Sequence, residues 1–166
     1  LGLGEIGLNK NSKNEIKVLE RQLEIAAQRN ELILIHTPHL EDKLKGTRLI
    51  MDLILSKPRI KPSRVLIDHA EEHTIEEIKA KGFWYALTLY PHSKGSPQRA
   101  VDTVETYGSD NVCINSSADW SVSDPLATVK CANEMRRRCH PETLIQKVFF
   151  DNPNAFLSQC PKFKAE

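Results

Sequence analysis

Short apolar runs alternate along this chain with longer stretches of helical periodicity. The runs are Leu1–Leu8, Leu32–His36, Arg64–His69, Phe83–Tyr90 and Asn111–Ser117. Each is too short for a helix and rich in branched or aromatic residues, so each predicts a strand. Between them Ile16, Leu19, Leu23 and Ala26 recur at helical spacing, as do Leu49, Ile50, Leu53 and Ile54. These predict amphipathic helices over about Lys13–Arg29 and before Pro58.

Local chemistry predicts where the helices start and stop. Ser12 with Glu15 makes a capping box, and Thr74 with Glu77 is read as a second one. Gly82 stands where a left-handed residue closes a helix, and Ser96-Pro97 with Gly108 brackets another. Asp124-Pro125 predicts the start of a helix running to about Arg138, and Pro141 that of a final helix with Leu144, Ile145, Val148 and Phe149 inside. Arg136-Arg137-Arg138 reads as a solvated helix end, where cations suit the dipole. Strand then helix, five times over, predicts an α/β fold with a parallel sheet.

The strands share one further property. Four of them run out to an ionisable side chain: Glu5, His36, His69 and Asp119. In a parallel barrel the strand bodies fill the core and their C-terminal ends carry the chemistry. A central parallel strand is apolar on both faces, so an ionisable group there needs a partner. A divalent cation would supply one, and carboxylates with imidazoles are suitable ligands. Asp68, of opposite strand parity to His69, is assigned to the helix layer rather than the pore. His39 and His92 lie just beyond their strands on the same side and are assigned to substrate contact. Lys94 could meet a phosphate but is read as a surface lysine.

Composition narrows the classes. With 166 residues the chain suffices for one domain with a proper core, and a formal net charge of +1 offers no bulk basic surface for nucleic acid. A local groove binding it stays open. No run approaches the roughly 18 apolar residues that would span a bilayer. The four cysteines, Cys113, Cys131, Cys139 and Cys160, contain no C-x-x-C pair and are read as reduced thiols of a cytoplasmic protein.

Several segments taken in order resemble one family. They are Gly4-Glu5-Ile6-Gly7-Leu8, Ile35-His36-Thr37, His69, Ser117-Ala118-Asp119 and Asn152-Pro153-Asn154-Ala155-Phe156. Together they look like the TatD-like metal-dependent hydrolases, within the amidohydrolase-type barrels. The resemblance implies a partial (β/α)8 TIM barrel comprising strands four to eight with their helices, residues 1–166 being a single C-terminal portion of that domain. The family's first-strand His-x-His pair has no counterpart, and Leu1 opens inside a strand, so an N-terminal portion is expected to be missing. Asn9, Pro38, Ser117 and Trp120-Ser121 depart from the usual motif residues, so hydrolytic chemistry transfers better than the family's nuclease activity.

On this reading the chain is a divalent-metal-dependent hydrolase in which an activated water attacks a phosphoester or related bond of a small-molecule or phosphoester substrate. Glu5, His36, His69 and Asp119 are the metal ligands, holding two divalent ions (Zn, Mg or Mn) bridged by Glu5. Asp119, with Glu5, is catalytic, and Asp119 takes the proton from the attacking water. The competing reading is a non-catalytic barrel fragment that serves as a binding or assembly component. Five strands cannot close a barrel, so open edges are expected to favour self-association, and an incomplete ligand set to bind metal weakly.

Overall fold

In the computed structural model, which describes residues 1–39, 42–90, 94–118 and 122–164, five parallel strands lie in sequence order. They are β1 (Gly2–Gly7), β2 (Leu32–His36), β3 (Val65–Asp68), β4 (Trp84–Thr88) and β5 (Val112–Asn115). The connections carry α1 (Lys13–Arg29), α2 (Lys43–Leu55), α3 (Glu72–Ala80) and α4 (Pro97–Tyr107). After β5 come α5 (Ala127–Arg137), α6 (Glu142–Gln146), a π-helical turn at Lys147–Asp151 and α7 (Asn152–Leu157). The π turn widens the helix just before Pro153, whose missing N–H an α-helix interior would feel.

Alternation divides the sheet into two faces. Ile33, Ile35, Val65, Ile67, Tyr85, Leu87 and Val112 pack against the apolar stripes of the helices, Leu19, Leu23, Ile50, Ile54, Ile75 and Val101 among them. On the other face Leu32, Leu66, Trp84, Ala86 and Cys113 cluster with Phe156 and Cys160, and Leu34, Leu157 and Phe163 pack against them. Trp84 and Phe156 pack edge-to-face at 5.6 Å. The rest of that face is an open cleft of about 710 Å³, walled by Leu34, Leu66 and Ile114, with Glu5, Asp68, His69 and Asn115 along its rim.

Most helix ends fall where the sequence puts them. Ser12 and Glu15 form their capping box, and Ser96 accepts from the Arg99 N–H with Gly108 closing α4 at φ 83°. Two starts differ. Thr74 is not a cap: α3 begins earlier, and the Thr74 hydroxyl accepts the Glu71 N–H from inside the first turn. Asp124 instead accepts the Leu126 N–H in a turn, so α5 starts only at Ala127. Arg138 is not solvated either. Its guanidinium bonds Asp102, Glu105 and Glu134 and ties α5 to α4. All four cysteines are free thiols, and Cys139 alone of them is exposed.

Gly46 lies buried in the first turns of α2, where a Cβ would sit 2.2 Å from the Pro38 ring and 2.4 Å from Asn11 Oδ1. Helix propensity favours alanine there by up to ~1 kcal/mol, but the clash is with a rigid ring. Gly46→Ala is therefore expected to destabilise the fold by ~1–3 kcal/mol in urea denaturation. Arg99 on α4 grips Glu72 on α3 through two bonds of 2.7 and 2.6 Å. That hydrogen bonding holds the Glu72 carboxyl down at about 2. A depressed carboxyl contributes stability above its unfolded pKa and loses it as pH falls from about 4.5 toward 2. Acid unfolding of Glu72→Gln should lack that part of the slope, a change of ~1 kcal/mol or less because the pair is half-exposed.

Candidate metal centre

The C-terminal tips of the strands carry the polar residues of the cleft face. His36 is the last residue of β2 and pairs in register with Asp68 of β3, and Thr88 of β4 pairs with Asn115 of β5. All four have the parity of the cleft-facing Leu34, Leu66, Ala86 and Cys113. The assignment of Asp68 to the helix layer is thus overturned: it shares a face with Leu66, and its carboxylate lies in the cleft rim. His69 reaches the same place by a different route. The strand ends at Asp68, and His69 takes a left-handed conformation at φ 57°, which breaks the alternation. Its N–H donates to Asp68 Oδ1 at 2.7 Å, closing the turn.

Glu5, Asp68 and His69 each offer a ligand atom to one point, these atoms lying within 4.8 Å of one another. His69 Nε2 is 3.1 Å from Glu5 Oε1, and His36 Nδ1 is 3.9 Å from the same oxygen. The structure therefore gathers Glu5, His69 and, at the margin, His36, and adds Asp68. Asp119 and His92 lie outside the described residues. His39 is exposed beyond β2, near enough for the charges of Lys94, Lys43 and His69 to reach it.

The hydrogen bonds fix which nitrogen of His69 is free. Thr88 Oγ1 is 2.9 Å from Asp68 Oδ1 and 2.6 Å from His69 Nδ1. A carboxylate only accepts, so it takes the single hydroxyl proton of Thr88, and Nδ1–H must donate to Oγ1. That leaves the Nε2 lone pair aimed at Glu5. Two acceptors face each other at 3.1 Å only with a positive charge between them, a proton or a metal ion. Asp68 Oδ1 is also bonded by Asn115 Nδ2 at 3.0 Å, and among the described residues nothing bonds Oδ2. His36 turns its Nδ1 toward this point, while among the described residues its buried Nε2 has no partner. The donor set therefore suits a divalent cation. A carboxylate holding a histidine through a hydroxyl is the outer-shell arrangement that orients metal ligands.

Electrostatics agree with that use. With a proton between them, His69 holds the Glu5 carboxyl below its ordinary value against burial, helped by the charges of protonated His69 and His36 and of Lys94. Burial lowers the His36 pKa, which favours the neutral imidazole that ligates metals. Lys43 braces the turn from α2: its ammonium donates to Thr37 Oγ1 and to the His69 carbonyl, each at 3.0 Å, and Glu71 lies 3.6 Å away. Burial brings this lysine down to about 8. Gly7 permits the close pairing of β1 with β2, since a Cβ there would sit 2.1 Å from the His36 carbonyl oxygen.

Asp68, Thr88, Asn115 and Lys43 escaped the sequence reading. Counting alternation back from the last apolar residue of each strand would have found the first three. Thr88→Val keeps the shape of the side chain and removes the link between Asp68 and His69. It should weaken divalent-metal binding about 10- to 100-fold with an unchanged far-UV spectrum, measured by competition with a chromophoric chelator.

No family model matches the chain. It is 34% identical over 108 residues to an uncharacterized metal-dependent hydrolase of Methanocaldococcus jannaschii, a match covering 64% of this chain and 41% of the relative. Among solved structures it superposes on a TatD-like protein of Archaeoglobus fulgidus with a TM-score of 0.73 at 27% identity, covering 95% of this chain and 60% of that one. It also superposes on a phosphotriesterase homology protein of Escherichia coli, complexed with phosphate in its active site, with a TM-score of 0.75 at 14% identity. That match covers 93% of this chain and 58% of the other. The chain thus spans less than two thirds of each relative's length. In sequence it is similar to a metal-dependent hydrolase and a TatD-like protein, and in fold to the phosphotriesterase-like proteins as well.

Proposed function

We propose that this chain carries the metal-binding rim of a divalent-metal-dependent hydrolase in which an activated water attacks a phosphoester or related bond. The observation that carries the reading is the opposition of Glu5 Oε1 and His69 Nε2 at 3.1 Å, with the other His69 nitrogen committed to Thr88. The similarity to a named metal-dependent hydrolase supports it. The five strands stand as strands four to eight of a (β/α)8 barrel, residues 1–166 being its C-terminal portion. Their unbroken sequence order supports this, as do their helices on one face.

In this reading Glu5, His36 and His69 hold the cation, with Asp119 as a further ligand and as the group that takes the proton from the attacking water. Support for Asp119, and for a second ion bridged by Glu5, is the ordered motif set alone. A bound divalent ion supplies Lewis-acid polarisation and brings the pKa of a bound water toward neutrality. The chain's own residues do the rest. Thr88 and Asp68 orient His69, Lys43 and Thr37 hold the backbone of its turn, and burial keeps His36 neutral. Leu34, Leu66 and Phe156 line the cleft beneath with apolar surface. His39 and His92 are assigned to substrate contact on their positions in the sequence just beyond their strands. The substrate is a small molecule or phosphoester.

Metal titration and hydrolysis of bis(p-nitrophenyl) phosphate test the reading. The protein should bind Mn2+ or Zn2+, and Glu5→Gln should lower both affinity and turnover by about 100-fold or more. Chelation should abolish turnover reversibly. Metal binding without turnover would favour a binding component instead, and wild-type affinity in Glu5→Gln would remove the centre.

A further inference from the structure

Three cations border the candidate centre, and their partners differ. Arg99 is held by both carboxylate oxygens of Glu72, at 2.7 and 2.6 Å. Lys43 donates to Thr37 Oγ1 and the His69 carbonyl and lies 3.6 Å from Glu71. Lys94 has none of this. Among the described residues its ammonium makes no hydrogen bond and no ion pair.

Its place is nonetheless built. After β4 the Lys94 N–H donates to the Tyr90 carbonyl at 3.2 Å and the Gly95 N–H to the Thr88 carbonyl at 3.0 Å. The second bond anchors the segment to the residue that orients His69. Lys94 is half-buried and shares with His69, Thr88 and Glu71 the walls of one small recess. Glu5, Asp68 and Glu71 are the acidic groups whose charge reaches it, and burial lowers its pKa despite them.

A half-buried ammonium without a partner is costly, and a second positive charge arriving at Glu5 and His69 would make it more so. An anion placed between the two positive centres relieves both, since each then faces negative charge. Lysine suits this as a point charge for an oxyanion.

From this we infer that Lys94 is the receptor for a negatively charged group of the substrate, a phosphate-type oxyanion held between its ammonium and the Glu5–His69 centre. The inference rests on the metal-hydrolase reading only for the second anchor. It assigns specificity for anionic over neutral substrates to one residue of the segment after β4.

Titration calorimetry with inorganic phosphate tests it on wild type, Lys94→Gln and Lys94→Arg, each with and without Mn2+, at low ionic strength. A separate Mn2+ titration of each protein decides whether the cation centre exists, so failure of that reading is seen independently. Wild type should bind phosphate, Lys94→Gln should bind it at least about 10-fold more weakly, and Lys94→Arg should recover to within about threefold. Without phosphate, Mn2+ affinity should be the same in Lys94→Arg as in wild type and should not fall in Lys94→Gln, which loses a neighbouring positive charge. The inference is overturned if Lys94→Gln binds phosphate as wild type does, if Lys94→Arg fails to recover it, or if wild type binds none in either metal state.

Discussion

The site depends on one shared proton. Thr88 stands between Asp68 and His69, and because its hydroxyl proton goes to the carboxylate, the imidazole must give up its Nδ1–H in return. Everything chemical at the rim follows from that exchange. It chooses the tautomer, aims Nε2 at Glu5, and leaves an opposition of acceptors that only a positive charge can fill. The three groups come from the ends of adjacent strands, so the parallel sheet is what brings them within reach. A low-dielectric setting strengthens such a chain of bonds and makes any unpaired member expensive.

The rest of the fold holds that exchange in register. Thr37 and Lys43 clamp the backbone at Asp68 and His69 from the β2–α2 connection. Gly46 lets α2 sit close against Pro38, and this sets where Lys43 projects from the first turn of the helix. Behind the sheet, Glu72 and Arg99 join α3 to α4, and Asn152 bonds the Ser109 and Val112 carbonyls to fasten the closing helix to β5. These are ordinary packing and capping devices. Their effect is to leave the strand tips little freedom, and preorganised ligands need that.

The sequence was most legible where local chemistry acts alone. Ser12 with Glu15, and Ser96-Pro97 with Gly108, mark their helix ends because each cap is satisfied within a few residues. It misled where two local solutions compete. Thr74 looks like a cap because a threonine three residues before a glutamate suits one, yet its hydroxyl serves Glu71 from inside the helix. Asp68 was hidden by a more general difficulty. Strand parity says which face a residue takes only while the strand lasts, and the left-handed turn at His69 ends it one residue early. Asp68 and His69 look like neighbours on opposite faces, but they are two residues of one site. The roles of Asp119 and His92 still rest on the sequence reading, since neither is among the described residues.

The balance of charge around the rim separates the parts that hold the centre from the part that faces outward. Arg99 and Lys43 are spent on Glu72, Glu71 and backbone oxygens, so their charge serves the frame. Glu5 and Asp68, with His69, bring ligand atoms to one point that could hold a cation. Among the described residues Lys94 has no hydrogen bond or ion pair to the frame through its ammonium, and it sits anchored beside Thr88 yet outside every strand and helix. Connections of this kind vary without cost to the core, while strand tips cannot. On the proposed function, a centre built on the strands with its selectivity built on the loops would let the motifs keep a familiar order while Asn9, Pro38 and the residues around Asp119 depart from it. On that proposal chemistry and substrate choice would be carried by different layers of the same rim.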